Sequence, residues 1–117
     1  MTGAPMSVEP FDVKLIGEHR VVFGPDGSRQ LVDLFRTSLA DRRGELRLAV
    51  AAGDHERVQR VGHAIKGLGA TAGAQRLSAA GALVERAAPA DVAAVVDLVE
   101  AAADEASAGI AQAWGFA

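Results

Sequence analysis

Apolar residues recur at three- and four-residue intervals along most of this chain, and this spacing is what most constrains its fold. A helix places residues so spaced on one face, whereas a strand would alternate them. Between residues 28 and 52 the recurring positions are Leu31, Phe35, Leu39, Leu46 and Ala49. Near the end of the chain they are Val92, Val95, Val99, Ala103, Ala106 and Ile110. Both segments therefore predict amphipathic helices.

Helix-ending residues divide the chain between these two segments. Gly53 is typical of a helix C-terminus and Asp54 of the N-cap of the next helix. Three glycines at 67, 69 and 73 predict that this second helix ends near residues 70–73. A third helix is expected from about residue 73 to 87, and Pro89 suits the first turn of the fourth.

Four helices with short connections predict an all-α fold, an antiparallel up-down four-helix bundle over about residues 28–114. The length of 117 residues suits a single domain spanning residues 1–117. Trp114 is expected to close one end of the core. Gly44 is expected to weaken the middle of the first long helix.

The N-terminal segment 1–27 is expected to cap the bundle in part. Phe11, Val13 and Leu15 alternate as in a strand, yet Leu15, Val22 and Phe23 also fit a short helix that covers the bundle end. We favour the short extra helix.

Composition excludes several classes of function. The chain has no cysteine, so disulfides, thiolate catalysis and cysteine-ligated metals are ruled out. A net charge of −3 with scattered arginines gives no basic stripe for nucleic acid. The N-terminus does not resemble a signal peptide, and acidic residues interrupt the most apolar window, which is too short for a membrane span. We expect a cytoplasmic protein.

The order H-x-x-K-G at His63, Lys66 and Gly67 indicates phosphate chemistry on a histidine. On a helix these residues share one face with Gln59 and Ala70, and the opposite face carries Val58, Val61, Ile65 and Leu68. The apolar face must be buried, so His63 is expected to be exposed. A neutral imidazole is a competent nucleophile at pH 7, and an ammonium at i+3 can offset phosphoryl charge. Gly67 leaves the imidazole open to a partner.

These residues resemble the histidine-containing phosphotransfer (HPt) domain of multistep phosphorelays. The family typically continues with a Gly-Ala pair, a Leu, and a Leu and Glu that close the next helix. The corresponding residues here are Gly73, Ala74, Leu77, Leu83 and Glu85. Before His63, the segment Ala51–Asp54 resembles the family's break between helices. Leu68 and Gly69 depart from the small polar or alanine residues usual after Lys-Gly, and a cysteine often seen near Ala80 or Gly81 is absent. Both departures concern packing rather than chemistry.

The resemblance implies a phosphoryl carrier without kinase or phosphatase activity of its own. His63 would accept the phosphoryl group, Lys66 would stabilise its charge, and Gly67 and Ala70 would leave room for the partner. Gln59 would be a minor partner of the phosphoryl oxygens. The expected partners are receiver domains of response regulators or hybrid histidine kinases, and Mg²⁺ would belong to the receiver alone.

Other interpretations stay open at this point. The same face could dock a kinase or regulator without being phosphorylated, and the chain could be a fragment of a larger sensor kinase, although its start at Met favours an independent protein. His19 and His55 lack metal-ligand spacing relative to His63, so no metal site is expected. The apolar stripes are used within the bundle, which favours a monomer.

Overall fold

The computed structural model describes residues 8–116, and within them it contains four α-helices and no strand. The helices are α1 (Val13–Ala51), α2 (His55–Ala72), α3 (Gln75–Arg86) and α4 (Val92–Ala113), with a 3-10 turn at Pro89–Asp91 before α4. Each helix packs on the next, and α4 also packs on α1, which closes a bundle. The predicted all-α fold is confirmed.

Helix α1 is interrupted at Gly24, whose φ of 71° and ψ of 179° are not helical. Pro25 follows, and its fixed φ and missing N–H suit the first turn after such a break. Residues 13–23 precede this break and form the first part of α1, within the segment for which a separate short helix is predicted from the sequence. After this break the helix continues from Pro25, three residues before the start expected near Ser28, and it passes through Gly44 without interruption. One glycine inside a helix lowers the free energy of unfolding by only about 1 kcal/mol relative to alanine, which is too little to interrupt a helix that packs on the bundle.

The predicted capping role of Val22 and Phe23 was wrong. Their exposed fractions are 77% and 47%, whereas Ile16 is 1% exposed and belongs to the core. Phe11 packs against that core and lies against Gly109 of α4. Val22 lies about 120° around the helix from Ile16 and therefore points away from the core. Phe23 is seven residues after Ile16 and shares its face, but it stands at the end of this helical segment, just before the break at Gly24, and remains half exposed.

The core consists of the predicted apolar stripes with few exceptions. Its largest fully buried members are Trp114, Phe35, Ile16, Leu39, Leu46, Ile65, Leu77, Ile110, Val84 and Val99. Leu31, Val92 and Val95 are only partly buried. Trp114 closes the core as expected, and its Nε1–H donates to the carbonyl of Ala72 at 2.9 Å. This bond joins the end of α4 to the end of α2.

The predicted ends of α1 and α2 are confirmed. Gly53 has a φ of 66°, and the Asp54 side chain accepts a hydrogen bond from the backbone N–H of Arg57 at 3.1 Å, so α2 starts at an N-cap. Helix α2 ends at Gly73, whose φ of 76° is left-handed. Both turns use glycine where other residues would be strained.

Helices α2 and α3 approach unusually closely, through three glycines. A Cβ at Gly62 would lie 2.7 Å from the backbone nitrogen of Glu85, and one at Gly81 would lie 2.7 Å from that of Lys66. A Cβ at Gly69 would lie 2.7 Å from the nitrogen of Ser78. The backbones therefore pack directly on each other, which sets the distance between side chains on α2 and α3.

Candidate functional site

The exposed side of α2 carries the residues singled out from the sequence, and we call it the His63 face: Gln59, His63, Lys66, Gly67 and Ala70. His63 is 68% exposed in its side chain and Lys66 39%. Gly67 and Ala70 are exposed, and Gln59 is half-buried. Val58, Val61 and Ile65 on the opposite side are buried, and Leu68 is partly buried. The expected orientation of α2 is therefore observed.

Glu85 from α3 joins His63 and Lys66 into one hydrogen-bonded group. His63 Nδ1 lies 2.5 Å from Glu85 Oε2, and Lys66 Nζ donates to Glu85 Oε1 at 2.8 Å. Each carboxylate oxygen thus has its own donor. The close approach at Gly62 and Gly81 makes this contact possible, because it places the end of α3 beside the middle of α2.

The charge state of Glu85 follows from these two contacts. The hydrogen bond from Lys66, and then the one from His63, hold the pKa of Glu85 below its ordinary value of 4.5. The carboxylate is therefore ionised at neutral pH and can only accept hydrogen bonds.

This carboxylate decides which nitrogen of His63 carries the proton. Because Glu85 accepts, Nδ1 must be the protonated nitrogen, and the lone pair of the neutral imidazole is on Nε2. Nε2 is the ring nitrogen left free by this contact, and the ring is mostly exposed. The site thus holds an oriented nucleophile with an ammonium one turn away.

Gly67 stands next to this nucleophile without filling the space around it. A Cβ at Gly67 would have nothing within 4 Å, which differs from the close contacts of Gly62, Gly69 and Gly81. Packing therefore does not require glycine at this position. Among residues 8–116, the hydrogen bonds between side chains of this site join His63, Lys66 and Glu85 only, so Gln59 contributes none.

The family model of the Hpt domain matches residues 30–109, which is more than half of the chain. The chain belongs to the Hpt domain family. Among curated proteins and solved structures, no significant match is found. Hpt domains are phosphocarrier modules of histidine phosphotransfer relays, and they interact with receiver domains. The matched segment contains His63, Lys66 and Glu85 of this Hpt domain.

Glu85 was not among the functional residues predicted from the sequence. In the sequence it stands out only as the residue that closes the third helix in the resemblance to the family. A carboxylate that pairs with His63 and Lys66 is a recognisable signal only once α3 is aligned with α2, because 22 residues separate Glu85 from His63.

The other histidines of this Hpt domain lie apart from the site. His19 stacks on Trp114 with ring centroids 6.3 Å apart, and His55 begins α2. Within residues 8–116 no group of three or more His, Cys, Asp or Glu side chains is arranged to bind a metal ion. Nor does any helix in this range have the length and apolar character to cross a membrane.

Proposed function

We propose that this Hpt domain acts in a multistep two-component phosphorelay and carries a phosphoryl group on His63 between aspartates of receiver domains. The observation that carries the proposal is the geometry of the imidazole. Its Nδ1 is held by Glu85, its Nε2 is free and exposed, and Lys66 lies one turn away.

The transfer needs little from the carrier beyond this geometry. The lone pair of Nε2 attacks the phosphorus of a receiver's aspartyl phosphate, an N–P bond forms, and the P–O bond breaks with the electron pair leaving on the aspartate. The ring keeps its proton on Nδ1 and becomes positively charged. Glu85 stabilises that charge through the existing hydrogen bond. The reverse sequence delivers the phosphoryl group to a second receiver.

Lys66 offsets the negative charge of the phosphoryl group. Its ammonium has three donors, and one of them is used by Glu85 at 2.8 Å, so a phosphoryl oxygen can be bound while the ion pair is kept. In this proposal Gly67 and Ala70 leave room for the partner on the same face, and Gln59 is a minor partner of the phosphoryl oxygens.

In this proposal the receiver domain, and not the carrier, binds the metal ion. We assign Mg²⁺ to the receiver, because residues 8–116 offer no carboxylate cluster beside His63 that would hold it. The carrier has no autonomous kinase or phosphatase activity in this proposal. It acts as a monomer in the cytoplasm, with neighbouring helices antiparallel, which the short links between α1, α2 and α3 support.

The test is phosphoryl transfer from a labelled receiver. Purified protein is mixed with a phosphorylated receiver domain and Mg²⁺, and a label that is acid-labile and alkali-stable is expected on it. His63→Gln should abolish the label and keep the helical circular dichroism spectrum. His55→Gln is the matched control on the same helix, and this variant should still acquire the label. An unchanged uptake by His63→Gln would remove His63 from this role.

The alternative is a helical docking module that binds a histidine kinase or response regulator without being phosphorylated. A docking surface does not require an oriented nucleophile, so the Glu85 contact favours the relay. Absence of label across a panel of receivers, together with binding to one of them, would favour the docking module instead.

A further inference from the structure

Three hydrogen bonds join α2 to α3 within residues 8–116, and all three end on His63 or Lys66. Two of them are the side-chain bonds of Glu85 described above. The third is donated by the hydroxyl of Ser78, in α3, to the backbone carbonyl of Lys66 at 2.9 Å. A carbonyl inside a helix accepts one N–H from its own helix, and its second lone pair is free for such a donor. Ser78 therefore holds the backbone of Lys66, whereas Glu85 holds its side chain.

Ser78, Gly81 and Glu85 lie on one face of α3. At about 100° per residue, positions 81 and 85 lie about 60° and 20° around the helix from position 78. A Cβ at Gly81 would lie 2.7 Å from the nitrogen and 3.1 Å from the Cα of Lys66. This face of α3 therefore meets Lys66 at its carbonyl, at its nitrogen and Cα, and at its Nζ, in that order along α3.

The contact at Gly81 and the bond from Ser78 fix different distances. The missing side chain at Gly81 determines how closely the two helices approach. It does not determine where α3 lies along the axis of α2, because a glycine has no side chain to fit between those of the other helix. The bond from Ser78 does, since a side chain with one χ angle has little freedom to follow a moving acceptor, and a hydrogen bond weakens steeply with misalignment. Ser78 therefore opposes sliding of α3 along α2.

The two bonds of Glu85 depend on this position of α3. The carboxylate must meet His63 Nδ1 at 2.5 Å and Lys66 Nζ at 2.8 Å at the same time. We propose that Ser78 is a positioning residue for phosphoryl transfer: its hydroxyl fixes α3 at the backbone of Lys66 and so holds the Glu85 carboxylate between its two donors. The proposal rests on the proposed function of His63. Ser78 forms no hydrogen bond with the imidazole or the ammonium, and it acts through Glu85.

The experiment compares three variants with the wild type. Ser78→Ala removes the hydroxyl, and it should fold because alanine favours a helix more than serine does. Ser78→Thr keeps a hydroxyl at the same position. Thr71→Val is the matched control: the Thr71 hydroxyl donates to the carbonyl of Gly67, next to Lys66 in the chain, at 3.0 Å, but this bond stays within α2. Each protein is phosphorylated with phosphoramidate, a small donor that requires His63 but no docking of a receiver.

A positioning role predicts that Ser78→Ala is phosphorylated about fivefold more slowly than the wild type, the factor that one hydrogen bond typically contributes. Ser78→Thr and Thr71→Val should both match the wild type. Glu85 supplies the carboxylate that α3 brings to the site, so its removal should also remove the effect of Ser78. In the Glu85→Ala background, adding Ser78→Ala should therefore cause no further loss of rate. A purely structural contribution of Ser78 would slow phosphorylation equally in both backgrounds.

Ring ¹⁵N NMR spectra of the unphosphorylated proteins give a readout that needs no donor. At about pH 8, where a free imidazole is neutral, they report which ring nitrogen of His63 carries the proton. Ser78→Ala should lower the fraction of rings with the proton on Nδ1, and Ser78→Thr should keep it. If Ser78→Ala equals the wild type in rate and in this fraction, or slows the Glu85→Ala background as much as the wild type, the proposal is wrong. If the wild type itself acquires no phosphoryl group, the role of His63 is overturned instead, while the NMR comparison still decides that of Ser78.

Discussion

Replacing Gly81 by alanine tests the close packing that brings Glu85 to His63. The added Cβ would lie 2.7 Å from the backbone nitrogen of Lys66 and 3.0 Å from the carbonyl oxygen of Gly62. Both are backbone atoms of α2, so no side-chain rotation relieves the contact. Ordinary van der Waals contact begins at 3.4 Å, so α2 and α3 would have to separate by about 0.7 Å at this point.

The change in the free energy of unfolding caused by Gly81→Ala is the difference between two opposing effects. Overpacking of this kind costs about 1–3 kcal/mol, and a clash with backbone belongs at the upper end. The higher helix propensity of alanine stabilises the folded state by about 1 kcal/mol relative to glycine. We therefore expect Gly81→Ala to lower the free energy of unfolding by about 2 kcal/mol. In a domain of this size that corresponds to a fall in Tm of about 8 °C.

Urea unfolding followed by far-UV circular dichroism measures this difference. Gly44→Ala is the matched control, because Gly44 is also helical but a Cβ there would have nothing within 4 Å. The free energy of unfolding of Gly44→Ala should exceed that of the wild type by up to about 1 kcal/mol. If Gly81→Ala is as stable as the wild type or gains like the control, the helices are not in direct backbone contact and the reasoning is refuted.

Three further changes address the site and the end of the core. Lys66→Ala should slow phosphoryl uptake or shorten the lifetime of phosphohistidine, and wild-type values for both would reduce Lys66 to a surface charge. Because Lys66 and His63 lower the pKa of Glu85, its ionised form adds stability above its ordinary pKa of 4.5. That contribution is lost as pH falls through the lowered pKa of Glu85. The difference in free energy of unfolding between the wild type and Glu85→Gln, measured by urea titration, should therefore shrink below pH 4.5. A difference that stays constant with pH would contradict this. Trp114→Phe removes the donor to the Ala72 carbonyl and should cost about 1–3 kcal/mol, whereas an unchanged Tm would show that the bond contributes little.

Local signals in the sequence predicted much of the fold. The helical period placed Phe35, Leu39 and Ile110 in the core, and all three are buried. Gly53 and Asp54 marked the boundary between α1 and α2 because left-handed backbone and N-cap hydrogen bonds depend on neighbouring residues only. The same period predicted that His63 is exposed.

Features that depend on packing between distant segments were missed. The pairing of Glu85 with His63 requires α3 to lie against α2, and the period of one helix contains no such information. The exposure of Val22 depends on which face of the first part of α1 meets the bundle, and that of Phe23 on how far along this segment the contact with the bundle extends. A short helix before the long one was expected, but its end at Gly24 was not located, since an isolated glycine and proline do not reveal where one helix ends and the next begins.

The triad of His63, Lys66 and Glu85 lies entirely within the hairpin formed by α2 and α3, residues 55–86. Neither α1 nor α4 supplies a side chain to it, and these helices only cover the apolar side of the hairpin. The bundle therefore divides into a reactive half and a supporting half. Substitutions in α1 and α4 that preserve the buried volume should therefore leave the hydrogen bonds between His63, Lys66 and Glu85 in place, because only residues of the hairpin form them.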